Sequence, residues 1–165
     1  MKILVFSDSH SSLRFMRECI SAVSPDCILH LGDMFEDGQV IARENPGVLF
    51  YQVPGNCDAY RCPPDASEVL IPRIGGVDFF ITHGHRYHVK QYTGQLLQAA
   101  RERKAAAVLY GHTHMEECTR EPDGLWVMNP GSCGYFGGTA GLIEVKDKSI
   151  QSCRIIRHGE LEGKV

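Results

Sequence analysis

The sequence predicts an α/β (or α+β) protein built of two sheets with helices outside, and three observations carry that expectation. The first third of the chain alternates continuous apolar runs of strand length with segments of helical period, the signature of a β-α-β-α-β start. The later strands lie closer together, separated by Gly-rich turns, so a parallel first half should meet a more antiparallel second half. Polar residues, flanked by glycine in four cases, follow five of the strands, the position at which such sheets bind ligands.

The 165 residues leave room for a single domain, residues 1–165. With 43% hydrophobic and 22% charged residues the chain can bury a core and is not disordered.

Lys2–Phe6 is a continuous run of β-formers, which reads as a buried parallel strand. Residues 7–12 form a loop. Leu13, Met16, Ile20 and Val23 recur at helical spacing, with Ser12 as candidate N-cap and Ser24-Pro25 as the stop. A second strand follows at 27–31, a short helix at 38–44 ends before Pro46, and a third strand covers 48–53. Residues 55–66 are a polar loop. Two strands at 69–74 and 77–82 flank Gly75-Gly76 and should form a hairpin. Residues 91–104 read as a helix with Leu96, Leu97 and Ala100 on one side, and its Arg101 to Lys104 end as an exposed charged tip. A buried strand at 106–110 and three further strands at 125–128, 140–146 and 149–157 complete the chain.

The net charge is −3 and no basic run stands out, so the electrostatic footprint of a nucleic-acid binder is missing. Apolar runs such as 105–110 fall far below the ~20 residues needed to span a bilayer. The apolar stretch before Ser7-Asp8 is too short for a signal peptide, so the protein is expected in the cytoplasm. The seven cysteines contain no Cys-x-x-Cys pair, which argues for reduced thiols, with Cys19 and Cys27 as small core residues.

Strand one runs into Asp8-Ser9-His10, strand two into Gly32-Asp33 and strand three into Gly55-Asn56-Cys57-Asp58. The hairpin runs into His83-Gly84-His85, and the strand at 106–110 into Gly111-His112-Thr113-His114. In a chain of this composition Asp-x-His arises by chance roughly 0.4 times, but Gly-His-x-His only roughly 0.04 and Gly-Asn-x-Asp roughly 0.02 times. Taken singly, Asp8 and Asp33 read as turn residues, Asn56 as a left-handed turn and the histidines as solvated side chains. Taken together, Asp8, His10, Asp33, Asn56, His83, His112 and His114 read as a binuclear metal site, and their mixed N/O donors suit first-row metals. His30 reads as a hydrogen-bonded core histidine, His88 and His158 as loop or tail residues, and Asn129-Pro130-Gly131-Ser132 as a turn or a phosphate-facing loop.

In order and spacing these motifs resemble the calcineurin-like metallophosphoesterases, most closely the small YfcE-like phosphodiesterases, from Met1 to about Arg157. The resemblance implies a four-layer α-β-β-α sandwich of two mixed sheets. It implies two divalent cations, Mn²⁺ favoured over Zn²⁺, Fe²⁺, Ni²⁺ or Mg²⁺. Asp8, His10, Asp33 and His114 would hold one, Asp33, Asn56, His83 and His112 the other, with Asp33 as the bridge. A hydroxide between the metals would hydrolyse a small-molecule phosphoester, a phosphodiester in first place. Asp58 and His85 are then expected to orient Asn56 or contact the phosphate. Cys57 stands where most members of the superfamily carry a histidine that serves the transition state or the leaving group, a departure the YfcE-like branch shares. Two rival readings are a non-catalytic scaffold for partner proteins, as in the retromer scaffold subunit, and a metal-storage or sensing module. Self-association is open.

Overall fold

The computed structural model describes residues 1–135 and 137–160. Its elements are β1 (Lys2–Phe6), α1 (Arg14–Val23), β2 (Cys27–His30), α2 (Phe35–Glu44), β3 (Leu49–Gln52), β4 (Val69–Leu70), β5 (Arg73–Ile74), β6 (Val77–Thr82), α3 (Gly94–Glu102), β7 (Ala107–Leu109), β8 (Glu117–Arg120), β9 (Trp126–Asn129), β10 (Thr139–Lys146) and β11 (Ser149–Arg157). One sheet has the order β11-β10-β1-β2-β3, the other β4-β6-β7-β9-β8 with β5 paired to β6.

Alternation along the strands separates three apolar layers. Ile3 and Val5 of β1 and Leu29 of β2 face Phe79 and Ile81 of β6, Leu109 of β7 and Met128 of β9 between the sheets. The intervening Leu4, Phe6 and Ile28 pack outward on Phe15, Met16 and Cys19 of α1 and Ile41 of α2. Phe80 and Val108 pack outward on Leu96 and Ala100 of α3. Three cores between four layers make the α-β-β-α sandwich, with each sheet buried on both faces over its central strands. Among the described residues no helix is long and apolar enough to cross a membrane.

Both sheets are mixed, so the expected division into a parallel and an antiparallel half is too simple. β1, β2 and β3 run parallel, but so do β6, β7 and β9, while β10 and β11 return to the first sheet, antiparallel beside β1. The expected strand at 69–74 is two short strands, because Pro72 cannot donate to a ladder and breaks the run. α2 begins at Phe35 rather than at 38, and Leu13, without a side-chain cap, stands where Ser12 was expected to cap α1. β8 carries Glu-Cys-Thr-Arg, too polar to read as a strand, and is held as an edge by its ladder to β9.

Phe79 is fully buried between the sheets. Phe79→Ala removes a ring that neighbours on both sheets cannot replace, and should cost about 3–5 kcal/mol in urea unfolding at unchanged m-value. A loss below about 1 kcal/mol would mean that the sheets do not close on this residue.

Candidate metal centre

The loops that leave β1, β2, β3, β6 and β7 meet at one end of the sandwich, and the seven predicted donors meet with them. One ligand atom each from Asp8, His10, Asp33 and His114 lie within 4.8 Å of one another. His114 Nε2 is 3.1 Å from Asp8 Oδ1 and 3.4 Å from His10 Nε2. His83 Nε2 is 3.1 Å from Asn56 Oδ1, 3.5 Å from Asp33 Oδ1 and 4.0 Å from Asp8 Oδ1. The His112 ring centroid lies 5.1 Å from that of His83.

The protonation pattern of this cluster leaves it short of positive charge. His83 is fully buried, and its Nδ1 lies 2.7 Å from the Leu31 carbonyl, an acceptor, so Nδ1 carries the proton. Burial, against the pull of Asp33, pushes the His83 imidazole down to about 4, so at neutral pH Nε2 holds a lone pair. Asn56 gives its amide N–H to Cys57 Sγ at 3.5 Å and turns its oxygen toward that lone pair. Asp8 Oδ2 accepts from the Ser7 hydroxyl at 2.5 Å and from the His112 N–H at 3.1 Å, while its buried Oδ1 accepts no hydrogen bond. Burial, reinforced by Asp33, raises the Asp8 carboxyl to about 7. Lone pairs from Asp33, Asn56 and His83 thus face one another beside an Asp8 carboxyl that readily holds a proton, and a bound cation would replace that proton and satisfy all four groups.

Backbone strain accompanies the convergence. Asp8, His10, Asp33, His112 and His114 all have positive φ, at 55°, 45°, 57°, 69° and 59°. Asp and His tolerate this region better than most residues, yet each costs on the order of 1 kcal/mol and persists only where the surroundings fix it. Asp58 is one such fixture: its fully buried carboxylate accepts the N–H groups of Asp33 and Gly55 on Oδ2 and of Met34 and Phe35 on Oδ1, at 2.7–3.0 Å. Ser9 and Asp37 are another, because Asp37 Oδ2 receives the Ser9 hydroxyl at 2.7 Å and the Ser11 N–H at 2.8 Å around His10. Asn129 donates to the Gly111 carbonyl and to Thr113 Oγ1, and Ser132 donates to the Asp8 carbonyl at 2.7 Å. The Asn129-Pro130-Gly131-Ser132 turn therefore ties the β1 and β7 loops together with its polar side chains. A side chain at Gly111 would run into Ser7 Oγ, and one at Gly55 into Asp33 Oδ1, so only glycine lets these loops approach.

Asp58, expected beside Asn56 or the phosphate, has its oxygens occupied by backbone donors and positions the Asp33 turn instead. His85 lies with its ring centroid 5.5 Å from that of His83, and its buried Nδ1 makes no hydrogen bond. Cys57 is exposed, and burial of its sulfur with the Asp33 charge pushes its thiol up to about 11. Its N–H donates to Asp33 Oδ1 at 2.9 Å. Nothing in the sequence pattern marks Ser7, Ser9 or Asp37 as part of the site, since each looks like an ordinary loop or first-turn residue, whereas Ser132 lies in the Asn129-Pro130-Gly131-Ser132 motif. Lys90 and Tyr135 also escape the pattern. Burial and then the Lys90 charge hold His112 and His114 below their ordinary values, and Tyr135 packs its ring 4.7 Å from that of His10. A cleft of about 670 Å³ opens beside the cluster, lined by Asn56, Tyr60, His85 and Arg86 among others.

Residues 1–148 match the description "Calcineurin-like phosphoesterase superfamily domain". The chain is similar to Phosphodiesterase MJ0936 of Methanocaldococcus jannaschii, 32% identical over 168 residues, covering 92% of this chain and 97% of that protein. It is similar to a probable metallophosphoesterase, YsnB, of Bacillus subtilis at 29% identity, covering 80% and 75% of the two chains. Among solved structures, a predicted phosphoesterase from Streptococcus pneumoniae superposes with a TM-score of 0.76 at 25% identity, covering 96% of this chain and 90% of that one. A single mutant of Vps29 from Entamoeba histolytica superposes with a TM-score of 0.71 at 20% identity, covering 95% and 99%, a likeness of fold.

His30 supports the β1 loop, with Nε2 3.2 Å from Ser9 Oγ and Nδ1 accepting the Gly32 N–H at 3.4 Å. Complete burial pushes its pKa down to about 4, against the attraction of Asp58, Asp37 and Asp33. The unfolded chain therefore takes up a proton near pH 6.5 that the folded one refuses until about pH 4, and the stability conferred by neutral His30 is lost as pH falls through that window. Asp8 acts with the opposite sign over nearly the same range, so the measurement is a difference. Wild-type stability minus that of His30→Asn should fall by up to about 3 kcal/mol between pH 6.5 and pH 4. A flat difference would mean that His30 titrates freely.

Proposed function

This chain belongs to the calcineurin-like phosphoesterase superfamily and is a metal-dependent phosphoesterase, and on that premise we propose that it hydrolyses phosphodiesters at a centre of two divalent cations, Mn²⁺ in first place. The observation that carries this reading is the convergence of Asp8, His10, Asp33 and His114 across the loop ends, with Asp8 Oδ1 buried and without a hydrogen bond. Asp8, His10, Asp33 and His114 would hold one cation, and Asp33, Asn56, His83 and His112 the other, sharing Asp33. When bound, the cations acidify water to supply the nucleophile and offset charge on the phosphoryl oxygens.

The chain's own residues do the rest. Asp58 fixes the Asp33 turn, and His83 is held by Leu31 so that its lone pair points inward. Lys90 contributes positive charge on the side of His112 and His114, where an anionic substrate would approach. The cleft beside Asn56 and His85 suits the leaving-group half of a diester, with Tyr60 at its rim and the Arg86–Glu68 ion pair, 3.0 Å between Nη2 and Oε1, along its wall. Cys57 offers only a thiol too weak to protonate a departing alkoxide at neutral pH. A non-catalytic scaffold role has only the fold in its favour, whereas the convergence of Asp8, His10, Asp33 and His114 favours a metal-dependent activity.

Protein supplied with Mn²⁺ should hold about two ions per chain by elemental analysis and hydrolyse bis(p-nitrophenyl) phosphate. Folded, metal-loaded protein without turnover would favour storage or sensing, and folded protein that takes up no metal would remove the centre altogether. Asp33→Asn should cut turnover by ~10²-fold or more and lower paired occupancy. Turnover near wild type in that variant would place the bridge elsewhere.

Cys57→His should raise rates most for diesters with poor alkyl leaving groups, since a placed general acid contributes up to ~10²–10⁴-fold. Steady-state rates across a leaving-group series at fixed Mn²⁺ decide the point. An equal loss on every substrate would show that Cys57 serves packing rather than standing in for an acid.

A further inference from the structure

Away from the metal centre, the open edges of the two sheets carry a second arrangement of reactive groups. Cys118 on β8 and Cys153 on β11 stand sulfur to sulfur at 3.1 Å, 35 residues apart in the chain. β8 is the edge of one sheet and β11 the edge of the other, and no main-chain ladder joins the sheets there. Both side chains are half-buried and pack against the core between the sheets. Close by, Arg157 Nη2 of β11 reaches Glu116 Oε1, just before β8, at 2.9 Å, so the seam is closed by an ion pair and a thiol pair.

The other cysteines differ. Cys19 and Cys27 are buried with thiols pushed up to about 12, Cys133 is buried and raised further, and exposed Cys57 has the Asn56 amide as its sulfur's neighbour. Among the described residues the Cys118–Cys153 contact is the one place where two sulfurs meet. Joining them needs an approach of about 1 Å, within reach of small side-chain rotations on two edge strands.

We propose that Cys118 and Cys153 form a reversible cross-linking site that reacts with low-molecular-weight disulfides and staples the two sheets together. The Cys118 thiolate attacks one sulfur of the small disulfide, forming a mixed disulfide and expelling a small thiolate, which takes up a proton. Cys153, losing its proton to solvent, then attacks the Cys118 sulfur, forming the protein disulfide and expelling the second small thiolate. Two protein thiols are oxidised and one small disulfide is reduced to two thiols. The hydrogen bond with Cys153 favours the order, because it holds Cys118 below the ordinary thiol pKa.

The test incubates the full chain in graded mixtures of reduced and oxidised glutathione and reads non-reducing intact mass, peptide maps and thermal unfolding. The expected product has lost two hydrogens at a Cys118–Cys153 bond, and its Tm rises on the order of 10 °C, reversed by dithiothreitol. In Cys118→Ser the remaining Cys153 should stay free or keep one glutathione, and oxidation should leave Tm in place. Cys153→Ala serves as the second variant should the first fold poorly. The proposal is overturned if both thiols stay free in mixtures that glutathionylate Cys57, if the bond forms to Cys57 or Cys62 instead, or if the cross-linked protein unfolds at lower temperature.

Discussion

Four backbone N–H groups, those of Asp33, Met34, Phe35 and Gly55, end on one buried carboxylate, that of Asp58. None of the four belongs to the strands: three lie in loops and Phe35 opens α2, positions that would otherwise leave donors buried without partners. By collecting them, Asp58 binds the loop after β2 to the loop after β3 and settles where Asp33 points. Asp33 Oδ1 in turn takes the Cys57 N–H and faces His83 Nε2. The geometry of the centre is thus inherited from a carboxylate whose own oxygens never face it.

The same economy recurs around the other donors. Ser132 holds the Asp8 carbonyl, Asn129 holds the β7 loop and Asp37 holds the loop of His10, so each strained residue is over-determined by its neighbours. Five donors in left-handed conformations would relax without these braces. Stability and site geometry are therefore opposed locally, and the fully buried cores on either side of each sheet supply the surplus.

The order of the early elements and the meeting of the candidate donors at one end of the sheets were legible because both rest on local signals, continuous apolar runs and rare short motifs with glycine. What escaped depends on long-range contact. Nothing around Thr139–Lys146 says that β10 returns beside β1, and Glu-Cys-Thr-Arg becomes a strand only because β9 offers it a partner. Asp58 looked like a neighbour of the chemistry because it is two residues from Asn56, yet its carboxylate is turned to the backbone. Ser7 and Ser9 carry no pattern at all, since a serine in a loop acquires its role only from what the fold sets opposite it.

The donors divide by sheet: Asp8, His10, Asp33 and Asn56 follow strands of one, His83, His112 and His114 follow strands of the other. Neither sheet alone offers the full set, so a centre on these residues would come into being only when the two halves of the sandwich are seated in register. Any ion that binds the complete set adds its affinity to the docking of the layers. The place where substrate would be handled is also a gauge of assembly, read out at the one end of the molecule where a misfit between the sheets of an ångström would separate the groups that must meet.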